Sequence, residues 1–248
     1  MASLKWSLVT LDEVSSTQDE AAKLAEAGAD EGTVVMAATQ TEGRGRTGRS
    51  WLSPTGGLYF SLLVRPKSVN RLQLLPLVAS FSVVDGVRDS TAVKSSVRWP
   101  NDVVVHGKKA SGVICESSFK GGKPKYSLVG IGVNCNSSIK SLGRLSRRVT
   151  TLAMECGHEV DVSAVLRATL TSFQGLYSKW ESGEDVIASR KSDISTIGQR
   201  VELRKKDGKT VRRMVLDVTS EGELAVKQTR KSMYVRAEDV DLVTELGS

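Results

Sequence analysis

Seven residues concentrate the chemistry of this chain: Gly43-Arg44-Gly45-Arg46-Thr47-Gly48-Arg49. Three glycines interleaved with three arginines suit neither a core strand nor a stable helix. Glycine lets a backbone wrap closely around a ligand. Arginine supplies a planar, permanently charged donor fork suited to phosphate or carboxylate. The stretch reads either as an anion clamp that orders on binding or as a solvated basic loop. It is not a P-loop, because no Gly-Lys-Ser/Thr follows, and it is not a dinucleotide-binding turn that opens a helix.

Four further segments carry weaker signals. Arg98-Trp99-Pro100-Asn101-Asp102 sets polar residues able to meet a cation or a ribose at a strand break, although Pro-Asn-Asp is also good turn chemistry. In Gly107-Lys108-Lys109-Ala110-Ser111-Gly112, a lysine followed by small residues can hold its ammonium over a negatively charged ligand. Paired hairpin lysines also serve as solvated edge charges. Gly130-Ile131-Gly132-Val133-Asn134 places two glycines inside a strand, which predicts a close approach to that backbone or a bulge. Ser16-Thr17-Gln18 predicts a helix cap, and a helix N-terminus can also face a polar ligand head.

The elements that must position these groups follow from periodicity. Residues 6–14 read as a strand. Ser16 then reads as an N-cap with Asp19 reaching back in a capping box, and Gly28 is placed to end the short helix. Residues 33–40 are a second strand, 41–51 a loop, and 58–66 a third strand stopped by Pro66. Helical spacing covers 70–90. Strands at 97–99 and 103–106 flank Pro100-Asn101-Asp102, a turn at 106–108 leads to a return strand at 110–116, and a glycine turn at 120–123 precedes a strand at 126–134. Residues 161–183 form an amphipathic helix with Val165, Leu166, Leu170, Phe173, Leu176, Tyr177 and Trp180 as its buried stripe. Beyond about Ile197 the texture changes to short β-like runs around Asp207-Gly208 and Glu221-Gly222, which predicts a small β-barrel. The expected organisation is α+β, with residues 1–195 as one domain and 196–248 as a β appendix.

Bulk composition narrows the class. The chain has 248 residues, 40% hydrophobic and 25% charged, with a formal net charge of +7. This excludes collagen-like, disordered and disulfide-scaffold proteins. The positive balance permits anionic partners without choosing among nucleic acid, nucleotide and acidic protein. Aromatic content of 5% is too low for a base-stacking platform. Cys115, Cys135 and Cys156 form no Cys-x-x-Cys pair, which points to a reducing compartment. His106 and His158 are the only histidines, so a histidine metal site is not expected. No apolar run approaches a membrane span and no signal-peptide core follows Met1, so a cytoplasmic protein is expected.

Taken together and in this order, GRGRTGRSW, RWPNDV, GKKASG and GIGVN, preceded by SST and Gln40, resemble the biotin protein ligases. The resemblance runs from about residue 6 to residue 195. It implies a mixed-sheet biotin/lipoate ligase-like catalytic domain followed by an SH3-like domain. It also implies the family's two-step activity: biotin and ATP give biotinyl-5′-AMP and pyrophosphate, and biotin then passes to one lysine of a biotin carboxyl carrier domain.

By that resemblance, Ser16, Thr17 and Gln40 face the ureido head of biotin. Gly43, Gly112, Gly130 and Gly132 line or admit the biotin cleft. Arg44, Arg46 and Arg49 close over biotin and the nucleotide phosphates, and Trp51 forms an apolar wall near the adenylate. Lys109 contacts the biotin carboxylate and the α-phosphate. Arg98, Asn101 and Asp102 help to position Mg-ATP, with Asn101 as a magnesium contact and Asp102 as a candidate base for the acceptor lysine. Asn134 lies near the adenine and ribose.

The chain departs from the family pattern in carrying Arg98 where a lysine is usual. No upstream room for a winged helix is expected, so DNA-binding repression is not. The resemblance further implies a homodimer formed by sheet pairing. Three other readings remain: a lipoate or octanoate ligase or transferase on the same scaffold, a nucleic-acid-binding module that retains the fold, and a catalytically silent homologue. Against the last, Arg44, Arg46, Asn101, Lys109 and Gly112 are all present.

Overall fold

The computed structural model describes residues 4–145, 148–228 and 231–246. Strand β1 (Ser7–Val14), helix α1 (Thr17–Glu26), strand β2 (Thr33–Gln40) and strand β3 (Leu58–Val64) open the chain. Helix α2 (Leu75–Thr91) follows, then β4 (Ser96–Arg98), β5 (Asp102–Val105), β6 (Lys108–Lys120) and β7 (Lys123–Val133). Helices α3 (Leu152–Cys156), α4 (Val162–Glu181) and α5 (Val186–Ser189) complete this part. The first seven strands form one sheet in the order β1-β2-β3-β7-β6-β5-β4. Only β1 and β2 run parallel; the remaining neighbours are antiparallel.

Strand β3 is buried at every position because both faces of the sheet are covered there. Leu58, Phe60, Leu62 and Val64 join the main core with α2 and α4. Leu63 faces the other way, into a smaller cluster with Ala21 and Ala25 of α1 and with Tyr126 and Leu128 of β7. Helix α1 has ten residues and cannot cover its whole face of the sheet. The uncovered part of that face is where the site lies.

The sequence expectations hold for the order and type of these elements, with two changes. Strand β6 runs on to Lys120, because its pairing with β7 continues from Ser111 to that residue. The capping box does not form: Ser16 Oγ accepts from the Gln18 amide at 3.3 Å, while the Asp19 carboxylate turns to Arg44. The short helices α3 and α5 carry no periodic signal long enough to be read from the sequence. Cys115, Cys135 and Cys156 are all free thiols. Among the described residues, no helix is long and apolar enough to cross a membrane.

The β-rich tail comprises β8 (Arg200–Lys205), β9 (Thr210–Val218), β10 (Leu224–Gln228), β11 (Lys231–Val235) and β12 (Val240–Leu246). They form an antiparallel sheet in the order β11-β10-β9-β8-β12. Among the described residues β11 and β12 are its two edges, so the strands form a five-stranded sheet and not a closed barrel. Val201, Leu203, Val215 and Leu224 of this sheet belong to the same apolar cluster as α2 and α4. Trp99 ties the two parts together: its amide donates to Thr196 Oγ1 at 3.0 Å and its indole to the Gly222 carbonyl at 2.9 Å.

A charge network anchors the helical layer. Asp85 of α2 is buried and accepts from both Arg190 Nη atoms at 2.8 Å, from Arg88 at 2.8 Å and from Ser172 Oγ at 2.6 Å. Burial alone would push its carboxyl upward, but the hydrogen bonds and charges of Arg190, Ser172 and Arg88 hold it below the usual carboxylate range. Asp85→Ala leaves the Arg190 guanidinium partly buried without this partner, and denaturant unfolding at neutral pH should show a loss of about 3–5 kcal/mol. Because the folded carboxyl titrates lower than the unfolded one (about 3.9), this contribution is complete above that value. It fades as pH falls through the lower folded value, so the gap between parent and variant should narrow on acidification.

Candidate active site

One cavity of about 570 Å³ lies on the α1 face of the large sheet, beyond the N-terminus of that helix. Its floor follows from the pairing register, because directly paired antiparallel residues share a face. Arg98 pairs with Asp102, Asp102 with Gly112, Gly112 with Gly132, and Gly132 with Tyr59. The next row is Ile114, Gly130 and Ser61. The glycines clear a bed in which other side chains lie. A Cβ at Gly132 would sit 2.5 Å from the Trp51 indole, and one at Gly112 would sit 3.0 Å from both Lys109 Nζ and Trp51 Cζ3. A Cβ at Gly130 would sit 3.0 Å from Gln18 Cδ.

Lys109 reaches this face through a bulge. The register of β5 against β6 shifts between Val103 and Val104, so that Val103 pairs with Ser111 and Val104 with Lys109. The extra residue, Ala110, turns into the core, and Lys109 is re-aimed onto the face that carries Gly112. Its ammonium stands 2.5 Å from Asp102 Oδ1 and 5.2 Å from the centroid of the Trp51 ring. Arg98 Nη2 lies 3.1 Å from the other Asp102 oxygen. Burial raises the Asp102 carboxyl, but the charges and hydrogen bonds of Lys109 and Arg98 outweigh it and hold the group below the usual range. The evident contacts of this carboxylate are with the Lys109 ammonium and the Arg98 guanidinium.

The arginine-glycine loop folds back on itself beside the cavity. Gly45 N–H donates to the Arg49 carbonyl at 2.6 Å and Trp51 N–H to the Gly43 carbonyl at 2.7 Å. Arg44 Nη1 donates to both Asp19 oxygens at 2.7 and 2.9 Å, and Nη2 reaches Glu116 at 3.3 Å. Arg46 donates to Asn101 Oδ1 at 3.3 Å and to the carbonyls of Ala237 and Val240 in the C-terminal part. Asn101 also donates from Nδ2 to the Val113 carbonyl at 2.6 Å. Asn134 Nδ2 donates to the Thr150 carbonyl at 3.0 Å, holding the chain that passes beside Lys109.

Ser16, Thr17, Gln40, Arg44, Arg46, Arg49, Trp51, Arg98, Asn101, Asp102, Lys109, Gly112, Gly130, Gly132 and Asn134 all line the cavity. Gly43 does not; a Cβ there would sit 2.5 Å from the Trp51 carbonyl, so this glycine allows the two limbs of the loop to approach. The Asn101 amide is held at both ends, with Oδ1 accepting from Arg46 and Nδ2 donating to the Val113 carbonyl. Among the described residues, no group of three or more His, Cys, Asp and Glu side chains is placed to hold a metal ion. Gln18, Arg148 and Arg204 also line the cavity, and no motif in the sequence marks the last two. Both come from segments far along the chain, whereas Gln18 belongs to the Ser16-Thr17-Gln18 cap.

Comparison with known proteins agrees with this geometry. Residues 11–134 match the Biotin/lipoate A/B protein ligase family. The chain is 30% identical over 240 residues to the bifunctional ligase/repressor BirA of Bacillus subtilis, covering 95% of this chain and 74% of that protein. It is 33% identical over 181 residues to the biotin--[acetyl-CoA-carboxylase] ligase of Paracoccus denitrificans, covering 71% of this chain and 73% of the relative. Its fold matches the biotin protein ligase from Aquifex aeolicus in complex with biotin and ATP with a TM-score of 0.85 and 31% identity, over 96% of this chain and 99% of that one.

The packing at Gly132 yields a direct test. Gly132→Ala forces the Trp51 indole off the sheet, and overpacking of this kind should cost about 1–3 kcal/mol. Thermal or denaturant unfolding measures the loss. An unchanged stability would show that the indole is free to move.

Proposed function

Since the chain belongs to the biotin/lipoate A/B protein ligase family, we propose that it is a biotin–protein ligase. It joins biotin to ATP as biotinyl-5′-AMP and passes the biotin to a lysine of a carboxyl carrier domain. The observation that carries this reading is the meeting of the arginine-glycine loop, the Asp102-Lys109 pair and the glycine-cleared bed in one cavity. The names of the relatives and the likeness to a ligase bound to biotin and ATP point the same way.

In the first step the biotin carboxylate attacks the α-phosphorus and pyrophosphate leaves. Negative charge gathers where carboxylate and phosphate meet, so positioning and cationic stabilisation supply most of the catalysis. Lys109, held by Asp102, is assigned to that meeting point. Arg46, Arg49 and Arg98 are assigned to the phosphates. Trp51 walls the adenylate, and Asn134 orders the strand behind it. Ser16, Thr17 and Gln40 shape the end of the cleft away from Lys109.

Arg44 is tied to Asp19 and Glu116, so its assigned role is to hold the loop stem, with ligand contact only after those bonds exchange. Magnesium enters with the ATP phosphates, and Asn101 is assigned as a contact beside it. In the second step the acceptor lysine attacks the mixed anhydride and AMP leaves; closure of the loop keeps water from doing the same.

The remaining expectations belong to this proposal. Residues 1–195 form the catalytic unit and 196–248 an SH3-like unit docked on it. The enzyme is cytoplasmic and homodimeric.

ATP-dependent pyrophosphate release, compared for biotin, lipoate and octanoate, tests the reading. Release with biotin alone is expected, and release only with lipoate or octanoate would overturn it. Lys109→Ala should slow adenylate formation by on the order of 10²–10³-fold in a protein that still folds; normal turnover would remove Lys109 from the reaction. Arg46→Ala should let free biotinyl-5′-AMP escape faster than from the parent, measured by its appearance in solution.

A further inference from the structure

Strand β7 ends at Val133, opposite Ser111 of β6, so the ladder on that side stops before it reaches Lys109. Residues 148–150, which belong to no named strand, take its place. Lys109 N–H donates to the Arg148 carbonyl at 3.0 Å, its carbonyl accepts from Thr150 N–H at 2.9 Å, and Val149 bridges Lys109 in parallel. The lysine sits beside the bulge at Ala110, where a slip of one residue would turn its side chain to the opposite face. Whatever fixes residues 148–150 therefore fixes which way the ammonium points.

Two side chains do so: Asn134 Nδ2 donates to the Thr150 carbonyl at 3.0 Å, and Glu155 Oε1 accepts from Thr150 Oγ1 at 2.5 Å. Thr150 is wholly buried, so its hydroxyl has no water to turn to if this acceptor is lost. Glu155 reaches back from α3 with a side chain only 14% exposed, and its other oxygen lies 2.7 Å from His106 Nδ1. Burial pushes the Glu155 carboxyl up, but the hydrogen bonds of Thr150 and His106, with the charges of His106 and Lys108, hold it below the usual carboxylate range. At neutral pH it is an ionised acceptor, and a hydrogen bond to such a group is stronger than one between neutral partners.

Neither Thr150 nor Glu155 lines the cavity. Their influence on the reaction runs through the backbone of the lysine that does. We propose that Glu155 is a positioning residue for adenylate formation: through the Thr150 hydroxyl it holds residues 148–150 against Lys109, and so keeps the ammonium on the face that carries Asp102 and Gly112. The inference rests on the reading of the chain as a biotin ligase.

The test is steady-state pyrophosphate release by the full chain and by Glu155→Leu, which keeps bulk at the position and removes the acceptor. The kcat should fall about 10- to 100-fold, as expected when a reacting group is displaced. The KM for biotin and the KM for ATP should stay within about threefold, since the lost contact acts in the transition state. Glu155→Gln, which retains an oxygen for the Thr150 hydroxyl, should keep kcat within about threefold of the parent. In a Lys109→Ala background, Glu155→Leu should cost less than about threefold, because the group that it positions is gone. A full loss in that background, or a parent-like kcat in Glu155→Leu alone, would overturn the assignment. If Glu155→Leu fails to fold, Thr150→Val, which cuts the same link without leaving a buried donor unpaired, is read by the same criteria. A parent enzyme that releases no pyrophosphate with biotin but does so with another acid would overturn the proposed function itself, and the role of Glu155 in it; additive losses in a parent active with biotin overturn the positioning role alone.

Discussion

Where β6 and β7 pair, Gly112 faces Gly132 across the ladder and Gly130 follows two residues on, so a patch of the sheet carries no side chains. The short helix α1 cannot cover that patch. Everything else in the site depends on this clearance. The Trp51 indole, the Lys109 butyl chain and the Gln18 carboxamide all lie where Cβ atoms would otherwise stand. Strand glycines weaken a sheet through lost packing and greater chain entropy. Here the cost is offset by burial on the opposite face, where Val113, Val129, Ile131 and Val133 join the core with α2 and α4.

Electrostatics sets the second constraint. Several cations converge on one cavity, and their mutual repulsion would spread them apart without counter-charges. Four of them have identified holders: Asp102 for Lys109 and Arg98, Asp19 and Glu116 for Arg44, and neutral carbonyls with Asn101 for Arg46. These bonds pre-position donors before any anion arrives, so little reorganisation is needed when one does. They also link distant parts of the chain. Arg46 connects the loop to the turn before β12, and Trp99 connects β4 to the C-terminal sheet. A disturbance of that sheet therefore reaches the loop through identifiable hydrogen bonds.

Most elements were legible in the sequence because their periods are long and their punctuation is plain. The apolar stripe of α4, the turn at Gly107 and the glycines before β7 are examples. The short helices α3 and α5 were not legible, since four or five residues cannot establish a period. The last two strands of the tail, Lys231–Val235 and Val240–Leu246, also escaped. Most of the site residues were visible as types in a characteristic order. What stayed hidden was which partner each would choose. Asp19 looks like a capping residue until the loop brings Arg44 to it, and nothing in the local sequence around Asn101 foretells that its amide joins Arg46 to the Val113 carbonyl.

The sequence by itself determined the kinds of group at the site and their order along the chain: a glycine-arginine loop, a lysine before small residues, and glycines within a strand. Those depend on residue type and local spacing alone. Only the tertiary structure decided which way they face. Strict alternation would send Lys109 to the face opposite Gly112, and it is the bulge at Ala110, closed by pairing with β5, that brings the ammonium to Asp102. The link from Glu155 through Thr150 to Lys109 is likewise invisible in the sequence. Hydrogen bonds between separate segments exist only once folding has brought their donors and acceptors together.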